Sequence, residues 1–372
     1  MSYTAGLRTV AVGALAVSAL AGLTGATAAA DLNATEKKLV AAAKAEGEVL
    51  LLHPLFADRT GQLMGEAFVK RYDLGPNFKF HHVRKGTGQV VAQARQEIVA
   101  GKITADVVLV SAPAFYDEAA KRGAFEALDS TNWKDSEELA KKSGQYFSYP
   151  HVVTPLAYTF QPVWNTACPG MEKFDATSYA DVVKPELKGK TFASDVTKSV
   201  TYANTVLSLR ENKALDLEKL WKDLKATDPI IEFRTEPKMQ AVVDCSRPLD
   251  MWNLSGRVYQ NVLKKPELAK TLKVGYYKEG QVILGNQAAV MKGAPHPNAG
   301  KLLMEFLLGQ EGSDIFVEGE GVLSFRKGYK PPAAAAPYVL DLEKHKLLGL
   351  KDWIAAGKEM KAMRDDWQKV FQ

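Results

Sequence analysis

Cysteine is nearly absent from this chain: two residues, Cys168 and Cys245, in 372. Neither sits in a C-x-x-C pair or beside a histidine, so a zinc ribbon or finger is excluded. One disulfide and two buried thiols both stay open, because sequence does not give a Cα separation. Nucleophile elbows of the form G-x-S-x-G, H-E-x-x-H helices and G-x-x-x-x-G-K-[ST] loops are all missing, and the six histidines form no relay. No catalytic residue, metal site or cofactor is therefore assigned. Basic blocks are missing too: despite a formal charge of +5, both signs intersperse, as in Lys134-Asp135-Ser136-Glu137-Glu138. That pattern predicts a solvated mixed surface, with no nucleic-acid partner.

Charge is scarce at one end only. Arg8 is the sole charge before Asp31; an apolar run from Val10 to Leu23 follows it, and the stretch closes on Ala28-Ala29-Ala30. A short positive region, an apolar core and small residues at the end read as a cleaved secretory signal over residues 1–30. The run falls short of the ~20 apolar residues that span a bilayer, and no later stretch does better. A periplasmic location is expected, without a lipid anchor, since no cysteine stands at the junction. The roughly 340 residues that remain exceed what one hydrophobic core serves comfortably, so two domains are expected.

From Glu48 onward apolar runs alternate with amphipathic segments. Val49 to Leu52 reads as a buried strand; Met64, Phe68 and Tyr72 mark a helix, Phe78 to Val83 a second strand, Val91, Ala94 and Ile98 a second helix, and Asp106 to Val110 a third strand. Later strands are expected at Leu156 to Phe160, Lys190 to Ala193, Ile230 to Phe233, Leu249 to Trp252 and Gln281 to Val290. Helices are expected around Leu217 to Leu224, after Pro297, and from Leu350 to Phe371. Alternation of this kind predicts mainly parallel sheets flanked by helices, with ligands beyond the carboxyl ends of the strands.

The order of several short motifs carries more information. Glu46-Gly47-Glu48-Val49-Leu50, Gly86-Thr87-Gly88-Gln89, Ala105-Asp106-Val107-Val108, Pro185-Glu186-Leu187-Lys188-Gly189-Lys190 and Lys292-Gly293-Ala294-Pro295-His296-Pro297-Asn298-Ala299 occur in that sequence. In them the chain resembles solute-binding proteins of ABC transporters, in the two-lobed type II group that includes ferric-iron, thiamine, polyamine and phosphonate binders. The resemblance implies two α/β lobes joined by hinge strands near Leu156 to Phe160 and Ile283 to Val290, closing on a ligand by a Venus-flytrap motion. Lobe one is expected at 31–155 and 287–328, lobe two at 156–286, with a connector and helix at 329–372 that packs on either lobe. The implied partners are a small-molecule ligand and an ABC membrane permease, for a monomeric protein.

By the same resemblance, the family's iron-ligating His, Glu and paired tyrosines fall on Ala57, Ser111 and Trp252-Asn253. Tyr276-Tyr277 precede the return strand and read as structural, and His81-His82 alternate across a strand, which keeps them from sharing a metal easily. The cleft residues expected instead are His53, Thr87, Gly88 and Ser111 from lobe one, and Asp195, Thr197, Ser199, Trp252 and Asn253 from lobe two. Hydroxyls and helix N-termini suit a carboxylate, a phosphonate or a similar oxyanion. Asp195 suits a ligand hydroxyl or amine and Trp252 an apolar wall; the bland alternatives are a helix cap and a core residue. A ferric-binding protein and an exported enzyme on the same scaffold are the competing readings.

Overall fold

A computed structural model describes residues 32–372. The secretory signal expected at 1–30 lies outside those residues. The first lobe opens with α1 (Ala34–Glu46), then alternates β1 (Glu48–His53), α2 (Asp58–Arg71), β2 (Lys79–Arg84), α3 (Thr87–Ala100), β3 (Val107–Val110) and α4 (Pro113–Lys121), followed by α5 (Thr131–Lys142) and β4 (Val153–Tyr158). The chain crosses to a second lobe of β5 (Gln161–Asn165), β6 (Phe192–Ser194), α6 (Val200–Glu211), α7 (Leu217–Ala226), β7 (Ile230–Glu232), α8 (Thr235–Val243), β8 (Leu249–Asn253), α9 (Ser255–Lys264) and β9 (Leu272–Val274). It returns through β10 (Gln281–Val282) and β11 (Leu284–Val290) to α10 (Pro297–Leu307), α11 (Gln310–Glu320) and β12 (Leu323–Ser324). A connector carrying β13 (Leu347–Leu348) ends in α12 (Trp353–Phe371).

The first lobe's sheet runs β12-β4-β11-β3-β1-β2. In the second, β8-β5-β9 and β6-β7 are tied by Leu249 N donating to Lys190 O at 3.2 Å, which gives β7-β6-β8-β5-β9. Both sheets share one plan. Strands that alternate with helices pair in parallel, as β1 does with β2 and β3 and as β6 does with β7. The strand arriving from the other lobe enters from the opposite end, so β11 lies antiparallel to β3 and β4, and β5 antiparallel to β8 and β9.

Packing follows the periodicities. One face of the first sheet buries Val49, Leu51, Val107, Leu109, Leu156, Ala288 and Val290 against Met64 and Phe68 of α2, Phe306 of α10 and Phe316 of α11. On α3 the buried stripe is Val90, Ala94 and Glu97, with Val91 and Ile98 only partly covered. The stripe sits one residue earlier than its apolar pattern predicts because the Glu97 carboxylate accepts from Thr104 N at 2.9 Å, folding the α3–β3 turn onto the helix. Cys168 and Cys245 form a disulfide across 5.4 Å between Cα atoms. Met363, Trp367 and Phe371 of α12 enter the second lobe's core.

Three of the sequence motifs, those at Glu46, Asp106 and His296, meet on the side of the first lobe away from the strands' carboxyl ends. Fully buried Asp106 accepts from Leu50 N and His296 N at 2.7 Å each and lies 3.1 Å from His296 Nδ1. Glu46 accepts from Asn298 N at 3.1 Å and from Ala299 N at 2.7 Å, capping α10 where His296 offers no side-chain cap.

One glycine pair brings the lobes into backbone contact, and a second brings the connector against lobe one. A Cβ on Gly256 of α9 would overlap the Cα of Gly321, the left-handed cap of α11 (φ 64°). On the connector, a Cβ on Gly349 would overlap Ser143 O, while one on Gly144 would lie 3.2 Å from the Gly349 Cα. Trp353 Nε1 donates to Gly144 O at 2.9 Å, and Gly349 O accepts from Asn212 of α6 at 2.9 Å, so this segment touches both lobes. Gly256→Ala is expected to lower unfolding free energy by about 1–3 kcal/mol through overpacking. Gly357→Ala, at an exposed α12 position with nothing within 4 Å of the new methyl, should raise it by up to about 1 kcal/mol. Urea denaturation of the two variants checks both signs.

Candidate functional site

The carboxyl ends of β1, β2 and β3 point toward the second lobe, and the expected residues stand there. His53 is fully buried; its Nδ1 accepts from Leu55 N and Phe56 N at 3.1 Å each, and its Nε2 faces His82 Nδ1 at 3.4 Å. Burial, with His82 and Arg84 adding to it, pushes its pKa down to about 3. The imidazole is neutral, with its proton on Nε2, and shapes the β1–α2 turn. Thr87 and Gly88 open α3 behind the N-cap Gly86, whose N–H is taken by Gln89 Oε1 at 3.0 Å. Ser111 lies between β3 and the N-terminus of α4, 5% exposed, with no hydrogen-bond partner on its hydroxyl.

In the second lobe a buried ion pair fixes the strand ends. Lys238 and Asp250 are both fully buried, 3.0 Å apart; burial pulls the Lys238 ammonium below its usual range, against the pull of Asp250. The ammonium also donates to Ser194 Oγ and Trp252 O at 2.8 Å each, so it joins the end of β6 to the end of β8. Trp252 is stacked on Tyr202 at 5.9 Å, and its Nε1 donates to Tyr179 Oη at 3.2 Å. Asn253 Nδ2 donates to Asp250 Oδ2 at 2.8 Å and Thr235 O at 3.1 Å, and Oδ1 accepts from Leu254 N at 2.8 Å. Both side chains thus spend their donors inside the lobe.

The loop after β6 differs. Asp195 is 1% exposed; its Oδ1 accepts from Thr197 N at 2.9 Å and Thr197 Oγ1 at 2.5 Å, while Oδ2 has no hydrogen-bond partner and lies 3.6 Å from Lys198 Nζ. Ser199 caps α6 by accepting from Tyr202 N at 3.3 Å. Arg364 of α12 pins the loop by donating to Val196 O at 3.1 Å.

Four residues at the crossing were not singled out from sequence. Neither Oδ1 nor Nδ2 of fully buried Asn286 has a partner; nor do Thr159 Oγ1 and Gln161 Nε2. Gln161 Oε1 accepts from Ser255 N at 3.3 Å, reaching the start of α9. The β3–β11 pairing ends at Gln287↔Val110, one residue short of Asn286 and Ser111, where the chain turns as Ala112 N donates to Val110 O at 3.1 Å. The Tyr158 phenol, which burial pushes up to about 12, lies beside the Asn286 amide without reaching hydrogen-bond geometry. The available signal was Asn286-Gln287 interrupting the apolar run from Ile283 to Met291; Lys238, after Glu236-Pro237, reads as surface charge and gave none.

At the positions where the resemblance puts iron ligands, Ala57 is the uncapped N-cap of α2, its N–H taken by Glu320 Oε1 at 2.8 Å. Tyr277 is stacked on Tyr179 at 3.7 Å and donates to Met251 O at 2.7 Å. Among the described residues no three His, Cys, Asp or Glu side chains converge to hold a metal ion.

The family profile of bacterial extracellular solute-binding proteins matches residues 64–340. No curated protein matches the sequence. Solved structures do: iron-bound HitA from Pseudomonas aeruginosa, at 18% identity and TM-score 0.60, covers 87% of this chain and 99% of its own. AfuA from Actinobacillus pleuropneumoniae with fructose-6-phosphate bound, at 18% identity and TM-score 0.64, covers 87% and 98%. An extracellular solute-binding protein from Bordetella parapertussis, at 15% identity and TM-score 0.67, covers 88% and 100%. At such identities the structural likeness speaks for the fold.

His53 gives a pH test. Its folded pKa of about 3 lies below the unfolded 6.5, so the unfolded chain binds the extra proton. The stabilisation is complete above pH 6.5 and is lost as pH falls toward 3, by about 1.4 kcal/mol per unit. Between pH 7 and pH 5 the protein should therefore lose about 2 kcal/mol more than His53→Gln, read by urea unfolding at the two pH values.

Proposed function

The chain belongs to the family of bacterial extracellular solute-binding proteins, and on that premise we propose that it is the capture component of an ABC importer, holding a small organic anion between its lobes. Ser111 and Asn286 carry this reading: two buried side chains, one just past the end of β3 and one on its partner strand β11, with hydrogen-bonding atoms that the protein leaves unused. Buried polar groups are normally paired, so such exceptions need a partner from outside the chain. Ser111 stands at the start of α4, where the helix dipole favours negative charge.

In this reading Thr87, Gly88 and Ser111 meet the ligand from lobe one, and Asp195, Thr197 and Ser199 from lobe two. His53, Trp252 and Asn253 shape the walls they are locked into. The segments 31–155 and 287–328 close against 156–286, and the closed form is presented to a membrane permease. Some structural neighbours hold iron and one holds a sugar phosphate. The anion is favoured over ferric ion because hard trivalent iron wants several anionic oxygen donors. At the three corresponding positions this chain supplies an alanine, a serine and a Trp-Asn pair. Among the described residues no nucleophile stands beside a base to support an enzyme reading.

Native mass spectrometry of protein purified without unfolding should find one organic anion per monomer. With that compound, calorimetry on Ser111→Ala should show affinity weakened by about 1.5–3 kcal/mol, the range for hydrogen bonds to charged groups, with unchanged folding. The radius of gyration from small-angle scattering should fall on saturation. A tight one-to-one ferric complex with a tyrosinate charge-transfer band would overturn the anion; an unchanged radius would overturn closure.

A further inference from the structure

The lobes are joined three times, not twice. Beyond the two crossing strands, β13 of the connector pairs in parallel with β10, as Gln281 N donates to Lys346 O at 2.8 Å and Ile283 N to Leu348 O at 2.9 Å. The residues that follow are gripped from both sides. Gly349 lies so close to lobe one that a Cβ would overlap Ser143 O, while its own carbonyl accepts from the Asn212 amide of lobe two at 2.9 Å. Lys351 N donates to Glu211 Oε2 of lobe two at 2.9 Å, and Trp353 Nε1 donates to Gly144 O of lobe one at 2.9 Å.

The two grips on α12 are unequal. Lobe two holds the helix by Met363, Trp367 and Phe371, all buried in its core, by Arg364 Nε donating to Val196 O at 3.1 Å, and by Asp366, 3.7 Å from Arg210 of α6. Lobe one holds it by the Trp353 indole and by α4, against which the helix also lies. α4 starts beyond the carboxyl end of β3, and the Val196 loop follows the carboxyl end of β6. Those are the ends that part when the lobes open, and α12 touches both. Opening therefore leaves α12 on lobe two, where three buried side chains fix it, and breaks its hold on lobe one.

We propose that residues 347–371 form a strap across the lobe junction that limits opening, with Trp353 as its latch on lobe one. The strap acts on the hinge of the importer reading and rests on it to that extent. Arg364 gives the strap a second hold: the helix that restrains the lobe angle also fixes the backbone of the loop which that reading places against the ligand.

The test needs no ligand. Both cysteines are taken up in the disulfide, so spin labels attach only at Val99→Cys on α3 and Leu263→Cys on α9, exposed positions of lobes one and two. Distances between the labels are read by double electron–electron resonance in protein dialysed free of small molecules. The labelled parent should give one narrow distance. Trp353→Phe removes the donor but keeps a ring on the lobe-two core; it should raise the share of long distances about two- to tenfold, the factor that one hydrogen bond sets. Gly349→Ala, whose methyl pushes the connector off Ser143 O, should act in the same direction. Lys361→Gln, on the exposed side of α12, should leave the distances as they are. An unchanged distribution in folded Trp353→Phe protein, or a parent already as broad as that variant, overturns the strap and leaves the importer standing. Failure to find a cargo removes the importer and leaves this readout intact. Where Trp353→Phe fails to fold, hydrogen exchange of the unaltered protein decides: slow exchange at the Ile283 and Lys351 amides, both held at the connector, supports the strap, and free exchange at either overturns it.

Discussion

Everything else in the molecule depends on β11, a strand that belongs to one lobe by pairing and to the other by connection. All seven of its residues are buried, and it is hydrogen-bonded on both sides, to β3 and to β4, while the chain entering it comes from β10. β5 holds the reciprocal place between β8 and β9, fed by β4. Each sheet would lose a central strand if the lobes parted, so separation is closed off and only bending remains. Between the paired strands lie Thr159-Phe160 and Ile283; the Ile283 backbone is held by Leu348 O at 2.9 Å and Gln145 Nε2 at 2.7 Å, so the proposed bend falls on Thr159-Phe160. The pairs Gly256·Gly321 and Gly144·Gly349 bound that motion, because backbone in contact with backbone has no side chain to yield.

Two buried carboxylates set the geometry on either side of this hinge, by different means. Asp106 spends its charge on two backbone N–H groups and one imidazole, joining β1, β3 and the start of α10. Asp250 spends its charge on an ammonium, accepting also from Trp252 N at 3.0 Å and from Asn253. The first arrangement lies away from the cleft and the second at its edge. A buried ion pair adds little net stability over well-packed apolar residues but costs several kcal/mol when one partner is lost. Its use in lobe two is to fix the directions of Trp252 and of the loop at Asp195 at the same time, a requirement that apolar packing leaves loose.

The fold was legible because its signals are local. Apolar runs such as Val107–Val110 and stripes such as Leu217, Leu220, Trp221 and Leu224 appear where their periods place them. The short motifs are legible for a further reason now visible: Glu46, Asp106 and His296 lie far apart in sequence yet meet in one hydrogen-bonded cluster, so they constrain one another. The site was less legible. Trp252 and Asn253 stand at the strand end that the βα pattern indicates, but their partners Tyr179, Tyr202 and Thr235 come from elements whose tertiary placement no period encodes. Asn286 lies in a strand that the resemblance marked as a hinge, and no motif singled it out. Its importance follows only from its burial on β11 next to the end of β3, where neither end of its amide reaches hydrogen-bond geometry.

The unpartnered atoms at the crossing link capture to closure in the proposed function. A buried polar atom without a partner costs about 1–3 kcal/mol, and the crossing holds several: Ser111, Thr159, Gln161 and both ends of the Asn286 amide. In the proposed capture cycle, water reaches such groups with the lobes apart and the cost disappears; with the lobes together and the cleft empty, it is paid in full. Closure is then uphill for the empty protein and becomes downhill when a ligand supplies the missing partners, without any spring in the hinge. A ligand shifts this equilibrium only by its differential affinity for the two forms, and that differential resides in the atoms the fold leaves unsatisfied. Filling these positions with apolar side chains would stabilise the closed form and remove its dependence on cargo, so imperfect satisfaction at the crossing is what makes the closed shape report that the protein is loaded.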